Sequence, residues 1–361
     1  MKNLKFLLLF ILSFTLHAKE CDLHFPLKVF KPKFAKNFYI NYFKDFKVVY
    51  VNERQYLLSS KVDLDCELPI NKITTPAKKV IMMSTTYLPA LQLLKVENSL
   101  IGFQGKRYIV SKLFNLEKII EVSSILNVEF LFKIKPDLVM CYTSNISSEN
   151  QIETFNSLKI PLVINKDFEE KTPLGRAEWL IFISSFYNQE DEAQNIFNVI
   201  SDDYIKLKKA NSQFKIRPKV IVGEIQNGFW TTSGGESDLA QIIADAGADM
   251  IFSKKSSTTQ KISLEELSQF KIDIDYWLPQ NTWRNHTEFV QALKNNTHYS
   301  LISPKINLNN IYNNNLIRNK DGFNDYWETG MQRPDLMLQE LSQIFHPEMA
   351  LSKKLRWYQK L

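Results

Sequence analysis

The sequence predicts an α/β protein of two Rossmann-like lobes joined by a single long helix, with a small N-terminal β extension. Three observations carry that expectation. A strand–loop–helix plan occurs twice, led by Val80-Ile81-Met82-Met83 after Pro76-Ala77-Lys78-Lys79, and by Val220-Ile221-Val222 after Arg217-Pro218-Lys219. Each half then runs through a helix into an apolar strand, NVEFLFKIKPDLVMCY from Asn127 and SLEELSQFKIDIDYWL from Ser263. Between the halves, Ala193, Ile196, Phe197, Ile200, Tyr204 and Leu207 recur at helical spacing. Strands alternating with helices form parallel sheets whose strand ends carry the working loops, so two such units imply two lobes across a cleft.

The elements follow in order. Residues 1–18 read as a secretory signal peptide, with Lys2 and Lys5 at the start, an apolar run from Phe6 to Leu16, and Ala18 at the cut. That run is about half the ~20 residues a membrane-spanning helix needs. Cys21 follows closely, but Lys19 and Glu20 stand where a lipid-anchor signal would place small residues. Residues 19–75 alternate aromatic and β-branched runs, such as Phe38-Tyr39-Ile40 and Tyr56-Leu57-Leu58, with polar breaks at Lys44-Asp45 and Asn52-Glu53. They are expected to form an antiparallel meander. Residues 76–168 make the N-terminal lobe and 212–361 the C-terminal lobe with its final helix. Linking helices occupy 169–211: one starts at Pro173 and ends at Asn188, and the inter-lobe helix runs from about Glu190 to Ala210. Some 21 residues at about 1.5 Å each give roughly 32 Å, a stiff strut that restrains large opening motions.

Composition narrows the function. The formal charge is +6, or +4 once Lys2 and Lys5 leave with the signal, too mild and too evenly spread for nucleic acid. His24, His286, His298 and His346 lie far apart, without metal-ligand spacing. Ser233-Gly234-Gly235 is no nucleophile elbow, since Thr231 and Thr232 precede it, and no glycine-rich phosphate loop occurs. No cofactor is indicated and nothing nominates an enzyme.

Aromatic residues gather in the loops expected to face the cleft. On the first half these are Tyr87 beside Thr86, Tyr108 beside Arg107, and Tyr142; on the second, Phe229, Trp230, Trp277, Trp283, Tyr312, Tyr326 and Trp327. Aromatic faces hold large flat ligands, and an arginine matches anionic oxygens; the competing role for each ring is core filling. Glu129 and Glu265 each lie two residues after a capping residue, Asn127 and Ser263. First-turn acids favour a helix N-terminus, and Ser263 with Glu266 suits a capping box. Their equivalent placement in both halves also suits docking on two arginines of a symmetric membrane partner.

Taken in order, KVIMMSTT, LLKVENSLIGF, NVEFLFKIKPDLVM, GFWTTSGGESDLAQIIADAGA and ISLEELSQFKIDI resemble the helical-backbone periplasmic binding proteins for iron-siderophores, haem and cobalamin. The likeness runs from about residue 76 to 350, and the run DYWETGMQRPDLMLQELSQIFHPE from Asp325 marks a subgroup. The resemblance implies a monomeric receptor in the periplasm. It would grip a metal chelate (ferric siderophore, haem or corrinoid) between its lobes and deliver it to an ABC permease dimer through Glu129 and Glu265. The histidines and carboxylates that hold bare metal in related zinc and manganese receptors have no counterpart here. The alternative is an extracytoplasmic metal-handling chaperone or enzyme on the same two lobes. Cys21 and Cys66 bracket the N-terminal segment and either pair, for roughly 3–4 kcal/mol, or stay free, while Cys141 lies in an apolar strand as a buried thiol.

Overall fold

The computed structural model describes residues 21–361 apart from 62–63, 65–71, 147–148, 270, 281–282, 302 and 350–353. The signal-peptide expectation and Cys66 therefore lie outside the described residues.

Continuous apolar runs make strands that are buried on both faces, as parallel sheets require. In the first half, Val80–Met82 sits at the centre of a five-stranded sheet, with Leu138–Cys141 and then Leu162–Ile164 on one side, and Leu100–Gln104 and then Ile120–Val122 on the other. Every pairing is parallel. Period two sorts its side chains into two cores: Val80, Met82, Leu138 and Met140 point one way, Ile81, Val139 and Cys141 the other. The second half repeats the plan on a smaller scale, with Lys219–Val222 between Asp249–Met250 and Tyr276–Leu278, again all parallel. An antiparallel set (Glu224–Gln226, Phe229–Thr232, Gln260–Ser263) stands beside it.

The inter-lobe helix spans Glu190–Asn211, 22 residues, or about 33 Å. Glu190, Asp191 and Glu192 open it and Lys208 and Lys209 close it, the charge order that suits the helix dipole. Asn188 ends the preceding helical stretch in the left-handed region at φ 57°. The rod does not work alone. Val80 and Met82 of the first sheet and Val220 and Val222 of the second belong to one continuous core, together with Trp179, Phe182 and Phe186 of the linking helices. The closing helix Pro334–Phe345 packs along the inter-lobe helix and adds Met337, Leu338 and Leu341 to that core.

The amino-terminal extension forms the expected meander: Lys28–Phe30, Phe38–Tyr42, Lys47–Val51 and Arg54–Ser59 pair antiparallel. A fifth strand, Lys72–Thr74, joins in parallel. Two carboxylates of the linking segment fasten it. Glu178 accepts the backbone N–H groups of Lys33, Phe34 and Ala35 at 2.9, 2.7 and 2.8 Å, and Glu170 accepts those of Lys36 and Asn37 at 3.0 Å. Lys47, also buried, pairs with Glu190 at the start of the inter-lobe helix. Five consecutive N–H groups held by two buried acids make the extension part of the body.

Candidate ligand cleft and docking carboxylates

The loops that leave the carboxyl ends of the first sheet build one wall. Ser84 caps its turn by accepting the N–H of Thr86 at 3.2 Å, and the Tyr142 hydroxyl bonds to Ser84 Oγ and, at 3.5 Å, to Thr86 Oγ1. Tyr142 lies 5.4 Å from the ring of Tyr87 and 5.6 Å, edge-on, from that of Phe168. Thr86, Tyr87 and Tyr142 thus come together. Tyr87 is fully buried, however, and its hydroxyl has no hydrogen-bond partner. Phe168, 49% exposed, supplies the open aromatic face instead.

Beneath Phe168 the two halves meet through charge. Arg176, at the end of Pro173–Ala177, stands 3.7 Å from buried Asp167 and bonds to Asp238 of the second half at 3.0 Å. Burial pushes the Asp167 carboxyl up, opposed by the neighbouring guanidinium. Asp167 Oδ1 and Arg176 Nε are both buried without a hydrogen-bond partner, unspent polar atoms next to a recess of about 460 Å3. That recess is lined from one half by Phe168, Glu169 and Arg176, and from the other by Glu236, Asp238 and Thr258. Gly234 permits the second wall: a Cβ there would lie 2.1 Å from the carbonyl oxygen of Ser256.

A second groove of about 850 Å3 has the opposite character, with Arg107, Lys112, Phe114, Arg318 and Lys320 among its lining residues. The Arg107 guanidinium lies 5.0 Å above the Tyr108 ring and 5.9 Å from that of Phe323, and its Nη2 donates to the Tyr108 hydroxyl at 3.0 Å. The carboxyl-terminal strap around residues 316–332 reaches this loop. Asn319 donates to the carbonyls of Arg107 and Ile109 at 2.7 and 3.1 Å. Glu328 accepts the N–H groups of Val110 and Ser111 at 2.7 and 3.2 Å.

Several expected cleft aromatics fill the core, which corrects the sequence reading. Trp230 and Trp277 are fully buried in the second half, and their indoles donate to the carbonyls of Val222 and Gly223 at 3.0 and 2.8 Å. An indole with its N–H satisfied by backbone and its ring enclosed offers nothing to a ligand. Trp283 packs at 5.6 Å against Trp277 and belongs to the same cluster. Tyr326 is buried against Tyr358. Trp327 remains 45% exposed, edge-on to Tyr326. Phe229 is exposed too, but it lies opposite Ser263 on the neighbouring antiparallel strand, near Glu265 in sequence.

Glu129 and Glu265 occupy matching places. Each is exposed in the first turn of a helix, Val128–Ile134 and Leu264–Ser268. Asn127 caps the first by accepting the N–H of Phe130 at 2.9 Å, and Ser263 caps the second through the N–H of Glu266 at 3.1 Å. The Glu266 side chain turns to Lys254, 3.3 Å away. Among the described residues no group of three or more His, Cys, Asp or Glu is placed to hold a metal ion, and no helix is long and apolar enough to cross a membrane. Cys21 is disulfide-bonded and Cys141 is a buried free thiol.

Solved structures with a similar fold include solute-binding proteins. A periplasmic solute-binding protein of Veillonella parvula superposes with a TM-score of 0.60 at 18% identity, over 77% of this chain and 83% of its own. A periplasmic heme-binding protein of Pseudomonas aeruginosa does so with a TM-score of 0.58 at 13% identity, over 79% and 98%. In sequence, an uncharacterized lipoprotein of Methanocaldococcus jannaschii is 26% identical over 305 residues, 80% of this chain and 70% of its own length. The pattern of the periplasmic binding protein family matches residues 80–311, well over half of the sequence, and the chain belongs to that family.

Proposed function

We propose that this protein is the receptor of an ABC importer, exported by a cleavable signal peptide to the periplasm, where it binds a metal chelate between lobes 76–168 and 212–361. The observation that carries this reading is the pairing of two exposed first-turn carboxylates, Glu129 and Glu265, on two parallel-sheet units whose loops meet around aromatic and charged recesses. Two equivalent acids match a permease with two equivalent subunits. The cargo reading rests on Arg107 stacked against Tyr108 and Phe323, a cation over aromatic faces that suits the anionic oxygens of a flat or bulky chelate. An iron chelate, siderophore or haem, is the first candidate cargo, with a corrinoid next.

The test is titration of the purified exported protein with haem, cobalamin and ferric siderophores, following tryptophan fluorescence and the mass of any co-purified ligand. Quenching or a recovered chelate supports the reading. Silence toward all three, with no chelate recovered from native protein, overturns it.

A further inference from the structure

The amino-terminal extension carries a surface that neither the cleft nor the docking carboxylates use. From Leu23 to Lys44 the chain holds five lysines (Lys28, Lys31, Lys33, Lys36 and Lys44) and no acidic residue. All five are exposed, and among the described residues none of them forms an ion pair. Phe25 and Leu27, just before Lys28, and Val29, just after it, are 82%, 76% and 44% exposed.

Among the described residues this is the free edge of the meander, since Lys28–Phe30 pairs there only with Phe38–Tyr42. Strand alternation sends Phe30 inward, 6.3 Å from Phe38, and so turns Leu27 and Val29 outward. Tyr39, on the strand alongside, stacks flat on Tyr50 at 4.3 Å and is also partly open. The result is an apolar ridge fringed by unpaired cations at the amino-terminal end of the described chain.

We propose that this edge is an attachment surface for an anionic phospholipid bilayer. Apolar side chains enter the headgroup boundary while lysines beside them meet anionic lipid, their stems lying along the ridge. Between flanking Asp22 and Asp45 the charges of this edge are all lysines and they are scattered along the chain, which suits a fluid charged sheet better than a protein groove of fixed shape. The Cys21 sulfur is held in a disulfide, and a disulfide sulfur does not also form a thioether. The Methanocaldococcus jannaschii relative is described as a lipoprotein, so a non-covalent tether would place this chain where a lipid places its relative. Attachment keeps the receptor close to its membrane partner and raises its effective concentration there.

The exported protein, centrifuged with vesicles of phosphatidylethanolamine and phosphatidylglycerol, should co-sediment, and should stay in solution with vesicles of pure phosphatidylcholine. Raising salt to about 0.5 M, where screening acts over only a few ångströms, should release most of it. Reversing three charges (Lys28→Glu, Lys31→Glu, Lys33→Glu) should weaken binding about 100-fold or more. Leu27→Ser with Val29→Ser should weaken it about tenfold or more. These side chains are exposed, and near-UV circular dichroism checks that each variant keeps the wild-type fold; should one not, the lipid and salt dependence of the wild type still decides. Binding that is absent from both vesicle types, equal on both, or untouched by the variants overturns the proposal. So does a dimer in sedimentation equilibrium that depends on Leu27 and Val29, which would assign the edge to a second copy of the chain.

Discussion

Glu328 gives the sharpest handle on how the strap is tied to the first lobe. Its buried carboxylate holds the N–H groups of Val110 and Ser111, immediately after the loop that carries Arg107 and Tyr108. Burial pushes its pKa up from 4.5 to about 7, with the two backbone hydrogen bonds opposing and the charge of Asp325 adding to the rise. Between those values the folded protein binds more protons at this site than the unfolded chain does. The contribution to stability is therefore fully present below 4.5 and lost as pH rises through about 7. At about 1.4 kcal/mol per pH unit, that interval is worth about 3 kcal/mol. Glu328→Gln cannot ionise, so its stability should lack this part of the slope. Asp167, Asp325 and Glu340, also raised by burial, titrate in both proteins and largely cancel in the comparison. Urea unfolding followed by circular dichroism at pH about 4.5 and about 8 should show the wild type losing about 3 kcal/mol more than the variant. Equal losses would refute the assignment of this pH dependence to Glu328.

The remaining predictions concern docking, anchoring and readout. Glu129→Ala combined with Glu265→Ala should leave chelate affinity within about twofold, because both acids are exposed away from the recesses, and should abolish uptake in cells; a loss of affinity would place them in the ligand site. Glu178→Ala strands three N–H groups at Lys33, Phe34 and Ala35 and should cost about 3 to 5 kcal/mol by denaturant unfolding, whereas a cost below about 1 kcal/mol would mean the extension is not held there. Trp327→Phe should lower the ligand-responsive fluorescence, since Trp327 is exposed, Trp283 is half-buried, and Trp179, Trp230, Trp277 and Trp357 are enclosed; an unchanged response would put the ligand elsewhere.

Much of the frame could be read from residues because its signals are local. Asn188 stops a helix since asparagine tolerates the left-handed region. Asn127 and Ser263 cap their helices by reaching an N–H three residues on, a pattern fixed by spacing alone. Which aromatic rings face a ligand is decided by partners that spacing does not reveal. Trp277 satisfies its indole at Gly223, 54 residues away, and runs such as Tyr276–Leu278 are apolar on both faces, so no alternation marks an inner side. Arg176 is hidden in the sequence for the same reason: in PLGRAEW it is one helical residue among several, and only the fold brings it beside Asp238, 62 residues on. Phe168 does carry a sequence signal, because it follows Leu162–Ile164 at the carboxyl end of a parallel strand, where such sheets bind their ligands.

These ties bear on how the receptor can move. A hinge needs segments that part cheaply, yet the two halves share one core and are crossed by the inter-lobe helix, the closing helix and the strap. Glu170, Glu178 and Glu328 are buried acids, each bonded to backbone of a distant segment, and stranding one such charge costs about 3 to 5 kcal/mol. A micromolar ligand supplies about 8 kcal/mol in all, so a motion that broke Glu328 from Val110 and also opened the shared core would consume most of the binding energy. Closure must then be confined to what rests on none of these: the ring of Phe168, the loop at 253–259, and the exposed end of the strap near Lys320 and Asp321. On the proposed reading, recognition would lie in rims that settle over the cargo. A permease docking on Glu129 and Glu265 would meet two carboxylates whose spacing hardly changes, and would sense the ligand through those rims.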